Sequence, residues 1–233
     1  MDIHTSVCSH TLVKNGMPFI DLILRQVEPY MDKMLITISE KSEDGSLAVV
    51  RDFEREFPNK VRVLFENVDD PAKLTHERQR QVDLTIEDWI LFLDDDDYWP
   101  EESLKEMMEL VKKDVDGYAI SPIQIVDQFG YDKHWFMHKF FTKWFRNKNI
   151  TYHGPWPRDM IMSGDKELYW KKNLNTIRLT GKYFHLSNIK YNPFRKEEWT
   201  KGNYEEPIKN KSKYPKWCKK HLERIYERIT RPN

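Results

Sequence analysis

Four consecutive carboxylates, Asp94-Asp95-Asp96-Asp97, follow the apolar run Trp89-Ile90-Leu91-Phe92-Leu93 and precede Tyr98-Trp99-Pro100-Glu101. Ionised aspartates held side by side repel one another and resist leaving water, so a cluster of this kind needs a cation. Carboxylate oxygens suit hard divalent ions, and Mg²⁺ is commonly shared between one or two carboxylates and the phosphates of a substrate. Mn²⁺ or Mg²⁺ shared with the phosphates of a substrate is therefore the chemistry these residues fit. An acidic surface turn is the plain alternative. Placement directly after a buried strand argues against it.

The elements around the cluster supply that placement. Five apolar residues without alternation read as a short strand buried on both faces, the kind found inside a parallel sheet. Ligands in open α/β sheets bind at the carboxyl ends of strands, where the aspartates fall. Upstream, strands are predicted at Ile3 to Ser9, Met34 to Ile38 and Val61 to Phe65. Helices are predicted at Pro18 to Tyr30, Leu47 to Phe57 and Leu74 to Leu84, the first with Phe19, Leu22, Ile23, Val27 and Tyr30 on one face. Downstream come a helix over Glu101 to Lys112, a strand over Gly117 to Val126 and a last strand over Thr176 to Leu186. Strands alternating with helices of this length give an α/β fold with a mostly parallel central sheet and flanking helices. The chain has no Gly-x-Gly-x-x-Gly and no phosphate-loop motif, so dehydrogenase and kinase readings lack their key feature.

Leu93-Asp94-Asp95-Asp96-Asp97-Tyr98-Trp99-Pro100-Glu101 resembles the Asp-x-Asp segment of family 2 glycosyltransferases, which have the Rossmann-like GT-A fold. Ser42-Glu43-Asp44-Gly45-Ser46 resembles the turn after that family's second strand, and Glu77-Arg78-Gln79-Arg80-Gln81 resembles its Ala-Arg-Asn-x-Gly segment with Arg78 in register. The resemblance implies transfer of a sugar from a nucleotide-sugar donor, a UDP-sugar first of all. It implies metal ligation by Asp96 with Asp94 or Asp97, joined by His185 at the end of the last strand. Ser9, Glu40, Arg78, Asp94 and Asp95 are the implied donor contacts. Ser163-Gly164-Asp165-Lys166-Glu167-Leu168 stands where the family places a Gly-Glu-Asp segment that starts a helix and carries the catalytic base. Asp165 is the first candidate for that base, with Glu167 and Asp159 behind it, and a direct displacement of this kind inverts the anomeric configuration.

The 233 residues carry 38 Lys and Arg against 38 Asp and Glu, and the balance conceals a division. Residues 1–116 hold 14 basic against 27 acidic side chains, while residues 117–233 hold 24 against 11. Such asymmetry suggests that the second half faces something anionic. Within it, Gly130 to Asn149 interleaves Trp135, Phe136, Phe140, Phe141, Trp144 and Phe145 with Lys133, His134, His138, Lys139, Lys143 and Arg146. This pattern reads as a helix with an aromatic core face and a basic solvated face; a membrane-surface helix and a nucleic-acid groove are its functional alternatives. Thr151 to Asp165, with Gly154-Pro155-Trp156-Pro157, reads as a loop and an acceptor wall.

A transferase domain over 1–190 is expected, with 191–233 as a basic loop and an amphipathic helix, Tyr214 to Arg231, packing on the same domain. Two cysteines make no disulfide framework, and no basic-then-apolar leader or membrane-length apolar run is present, so a cytoplasmic protein, at most peripheral at a membrane, is expected. The acceptor is expected to be a hydroxyl of a glycan, a lipid-linked glycan or a modified nucleobase. Two rival readings are a nucleic-acid-binding protein using the basic half and a non-catalytic membrane-surface module with the aspartates as a Ca²⁺ or structural site.

Overall fold

Residues 5–66, 71–111, 114–127, 130–132, 141–154, 160–167, 176–186, 211–212 and 219–230 are described in the computed structural model of the chain. The first half is a parallel nucleus: β1 (Val7–Val13), α1 (Ile20–Val27), β2 (Lys33–Ile38), α2 (Ser46–Glu56), β3 (Val61–Phe65), α3 (Pro71–Asp83) and β4 (Trp89–Phe92). The strands lie side by side in the order β3-β2-β1-β4, every pair parallel. β4 is apolar and buried on both faces, which is why it carries no alternation, whereas β1 holds the buried polar residues Ser9, His10 and Thr11 and the edge strand β3 exposes Arg62 and Phe65. Trp89, Ile90 and Leu91 are fully buried, each burial of this kind contributing roughly 1.5–3 kcal/mol.

After β4 come β5 (Asp97–Tyr98), α4 (Glu101–Leu110), β6 (Gly117–Asp127), β7 (Gly130–Asp132) and β8 (Phe141–Arg146). The hairpin strands β9 (Ile150–His153), β10 (Met160–Ser163) and β11 (Lys166–Glu167) form a small separate sheet. Then follow β12 (Thr176–His185), β13 (Lys211–Ser212) and α5 (Lys219–Thr230). The large sheet continues from β4 through antiparallel β8 to β6, so its second half is mixed. β12 runs parallel to β6 and then pairs antiparallel with β5.

Several predicted elements hold with shifts at their ends, and four are corrected. The first strand runs to Val13, because His10 and Thr11 are buried within it rather than marking its end. Phe141–Arg146 is a strand, not part of a helix: Trp144 and Phe145 point to opposite faces of the sheet, each joining a different apolar cluster. Residues 133–140 of the same stretch, with Lys133, His134, Trp135, Phe136, His138, Lys139 and Phe140, lie outside the described residues. Ile150–His153 and Met160–Ser163 form a hairpin where a loop was expected, with Ile161 opposite Tyr152 and both buried. Gly164 and Asp165 then turn into β11, so no helix starts there. The amphipathic C-terminal helix is described from Lys219, with Ile225 in the main core.

Candidate functional site

β4 delivers the aspartates to the carboxyl rim of the parallel nucleus, and a turn folds them together. The Asp97 N–H donates to the Asp94 carbonyl at 3.1 Å, after which Asp97 opens β5. β12 is laid against this turn by backbone pairing: His185 stands opposite Asp97, and the Leu186 N–H donates to the Asp96 carbonyl at 2.8 Å. Backbone geometry thus juxtaposes His185 and the carboxylates before any side chain contributes. The position of β12 is set from α4. Glu106 accepts hydrogen bonds from the Thr180 and Gly181 N–H groups at 2.9 and 2.8 Å, where the pairing of β12 with β6 shifts register. A Cβ on Gly181 would stand 2.4 Å from the Ser103 hydroxyl, so only glycine lets α4 lie this close.

The carboxylates have protein cations for partners. Lys143 Nζ lies 2.5 Å from Asp94 Oδ2 and 2.8 Å from Asp97 Oδ2. Arg78 donates from Nη2 to Asp94 Oδ1 at 3.0 Å. The two cations meet one aromatic ring, Phe92, at 3.6 Å for the Arg78 guanidinium carbon and 4.6 Å for Lys143 Nζ. Arg78 is aimed by its helix. Gln81, three residues on and on the same face, ties α3 to the sheet by donating to the carbonyls of Thr11 and Leu35. The cation demanded by crowded aspartates is thus met in part from within the chain. Sequence reading placed Lys143 on a solvated helix face, yet its side chain is only 6% exposed. The signal that finds it is the alternation Phe141, Lys143, Phe145 against Thr142, Trp144, Arg146, which has a period of two.

Asp96, Asp97 and His185 form the remaining constellation. His185 Nδ1 lies 2.9 Å from Asp97 Oδ1 and 3.5 Å from Asp96 Oδ1, and one donor atom from each residue falls within 4.8 Å of the others. Ligands at about 2.1 Å around a six-coordinate ion stand roughly 3 Å apart, so these separations suit Mn²⁺ or Mg²⁺; the carboxylate oxygens suit either ion and the imidazole favours Mn²⁺. Burial opposes charging of His185, but the Asp96 carboxylate and the hydrogen bond and charge of Asp97 outweigh it and push the imidazole up to about 9. Burial alone would raise Asp94, yet Lys143 and Arg78 hold it well below the ordinary carboxylate range. Burial lifts Asp97 above that range, with Lys143 opposing and Asp94 adding to the lift. A metal taking His185 must displace a proton.

The other predicted residues fall in different places. Asp95 is buried and turned toward the loop after β1, where a Cβ on Gly16 would lie 3.3 Å from its Oδ2. Ser9 is fully buried midway along β1, between Met34 and Leu91 of the neighbouring strands. Glu40 is exposed just beyond β2. The turn after it is braced against the loop after β1: Asp44 accepts from the Met17 N–H at 2.8 Å, and Ser46 Oγ accepts from the Gly16 N–H at 2.7 Å. Asp165 is exposed at the turn between β10 and β11, with Glu167 in β11. The small sheet sits on α3, with the Tyr152 N–H donating to Gln79 and Thr75 to the Gly154 carbonyl. Asp159 lies outside the described residues.

The family model described as glycosyl transferase family 2 matches residues 18–178. The chain belongs to that family. The matched span takes in the aspartate turn, Arg78 and Lys143 and ends before His185. Among solved structures, S. aureus TarS 1–349 in complex with UDP-GlcNAc is similar at 18% identity over 52% of this chain and 35% of that one, with a TM-score of 0.44. The mannosyltransferase PcManGT from Pyrobaculum calidifontis, in complex with GDP-Man and Mn²⁺, is similar at 17% identity over 53% and 39%, with a TM-score of 0.40. A 4-diphosphocytidyl-2C-methyl-D-erythritol synthase is similar at 13% identity over 62% and 73%, with a TM-score of 0.41. This glycosyl transferase family 2 chain therefore spans little more than a third of the two transferase structures. No curated protein matches it by sequence. Among the described residues, no helix is long and apolar enough to cross a membrane.

Proposed function

We propose that this chain transfers a sugar from a nucleoside diphosphate sugar, UDP-linked in the first instance, to an acceptor hydroxyl with inversion at the anomeric carbon. The observation that carries the reading is the Asp96, Asp97 and His185 constellation at the carboxyl rim of β4, in a chain of glycosyl transferase family 2. These three residues would hold a divalent ion, which when bound supplies Lewis-acid stabilisation of the departing diphosphate. The chain does the positioning. Arg78 and Lys143 fix the Asp94 carboxylate from its two oxygens. Asp94 in turn keeps both cations beside the turn, where a diphosphate is to be received. Asp95 and Glu40, beside the loops after β1 and β2, serve as donor contacts together with Ser9 of β1.

Asp165 takes the proton from the acceptor hydroxyl, with Glu167 and Asp159 as the alternative bases. The transferase unit spans 1–190, and residues 191–233 pack onto it through α5. Two cations of the basic aromatic stretch pair with acids of the first half, Lys143 with Asp94 and Asp97 and Arg146 with Asp114 at 3.6 Å. The acceptor hydroxyl belongs to a glycan, a lipid-linked glycan or a modified nucleobase.

The test is a thermal-shift panel of nucleotide sugars with and without Mn²⁺, followed by turnover assays of any donor that binds. A donor that stabilises only alongside Mn²⁺, and loses that effect in Asp96→Ala, supports the reading. Stabilisation by no nucleotide diphosphate sugar under either condition would sink it. Asp165→Asn is expected to lower kcat about 100-fold or more with donor binding unchanged.

A further inference from the structure

In the function proposed above Lys143 holds Asp94 beside the turn and moves no proton, and the fold goes to some length to place it. Residues Leu91 and Trp144 are opposed across β4 and β8, and one step further along the same pairing brings Lys143 beside Phe92. Its ammonium rests 4.6 Å from the Phe92 ring centre and 5.5 Å from that of Tyr183. An ammonium buried among rings is strongly destabilising unless its charge is matched. Here it is matched twice, by the Oδ2 atoms of Asp94 and Asp97. The opposite oxygens of the same two carboxylates face Arg78 and His185. Lys143 therefore fixes the rotation of Asp97 that presents Oδ1 alongside Asp96 and His185.

We propose that Lys143 is the resident counter-cation of the aspartate turn. It lets the turn assemble without a metal, and by sharing Asp97 it weakens the site's own hold on a divalent ion, so that the ion is retained together with the donor diphosphate rather than ahead of it. The physical basis is that an ammonium and a divalent ion on two oxygens of one carboxylate repel each other at a separation of about 5 Å, inside the range where protein screens poorly. A diphosphate arriving with the ion brings the negative charge that removes this conflict. The inference rests on the proposed metal site for its second half, and concerns how that site is regulated.

The full chain is compared with Lys143→Met, Lys143→Arg and the double variant Lys143→Met/Asp97→Asn. Thermal unfolding is followed in EDTA and in Mn²⁺, and Mn²⁺ binding is titrated with and without UDP. The parent is expected to melt at nearly the same temperature in both media. Lys143→Met should melt roughly 10 °C lower in EDTA and recover most of the loss in Mn²⁺. Mn²⁺ alone should bind it about tenfold more tightly than the parent, a change that a purely structural lysine would not produce. Lys143→Arg should follow the parent. The double variant, lacking both the cation and one acid it serves, should fold without needing metal.

Mn²⁺ binding to Lys143→Met that is equal to or weaker than the parent's would overturn the proposal, as would an unchanged melt in EDTA. If Lys143→Met does not fold, the double variant decides: its folding supports the counter-cation role, and its failure assigns Lys143 to packing alone and overturns it. Absence of Mn²⁺ binding in every protein, with UDP present, defeats the metal site of the proposed function instead. The melts in EDTA then judge the assembly role of Lys143 separately.

Discussion

The two halves of the chain contribute to the site in opposite ways. The parallel nucleus, β1 to β4, supplies carboxylates at a strand end through local sequence alone. The mixed half supplies Lys143 from β8 and His185 from β12, whose partners lie 46 and 88 residues away. Acid comes from the first half and much of the balancing charge from the second, with Arg78 of α3 the exception. The −13 and +13 imbalance between the halves is therefore answered in part inside the molecule: the first anionic object that the basic half faces is the acidic half. Lys220 of α5 repeats the pattern on Glu102 at 3.3 Å, while His221, whose pKa burial pushes down, adds a hydrogen bond at 3.0 Å rather than a charge. A segregated charge distribution in sequence is thus weak evidence for an external polyanion.

Breaking the acidic side should do the greatest damage. Asp96→Ala is expected to lower kcat/KM about 1,000-fold while leaving the circular dichroism spectrum intact; near-parental turnover would show that the aspartate turn is not the centre of the chemistry. Breaking the basic side at His185→Ala should cost roughly 100-fold, with partial recovery at high Mn²⁺, as a weakened ligand set allows. A result as severe as that of Asp96→Ala and insensitive to Mn²⁺ would mean that the second half does more than complete a metal site.

A pH series sharpens the contrast from beneath the turn. His10, fully enclosed in β1, is hydrogen-bonded through Nε2 to Thr85 Oγ1 at 2.6 Å, and burial together with Arg78 pushes its pKa down to about 3. The folded state thus refuses a proton that the unfolded chain accepts below about 6.5, so this contribution is intact above that pH and is lost as pH falls toward 3. Between pH 7 and 4.5 it removes about 2–3 kcal/mol. Urea melts of the parent and His10→Gln should show the variant less acid-sensitive, and parallel pH profiles would refute the assignment. The smallest effect is expected at α5. His221→Ala loses contacts to Tyr98 at 3.3 Å and Glu102 at 3.0 Å, costing about 1–2 kcal/mol in thermal melts with little change in turnover.

What was legible in the sequence divides along the same line. β4, the aspartate turn and the alternating helices of the nucleus were readable because covered strands and one-sided apolar helices write their burial into neighbouring residues. His185 was singled out by the resemblance to the family rather than by its position, since a lone His at a strand end is more often structural. Lys143 was not: a lysine looks solvated by default, and its burial depends on partners that the linear sequence places far away. The hairpin of β9 and β10 was missed for a related reason, since Gly154-Pro155-Trp156-Pro157 dominates the local signal and hides the pairing of Ile161 with Tyr152. Residues that obtain their environment from across the sheet leave at most a short alternation of period two as their local signature, as at Lys143.

The grip of α4 on Gly181 has a consequence for how relatives of this chain can diverge. With Ser103 and Glu106 clamping one point of β12 and His185 paired at another, the interval between them works as a fixed ruler. Surface connections elsewhere can lengthen or shrink through descent. A single insertion or deletion inside that interval would turn the imidazole to the far side of the sheet, so lineages that keep the chemistry must keep the count.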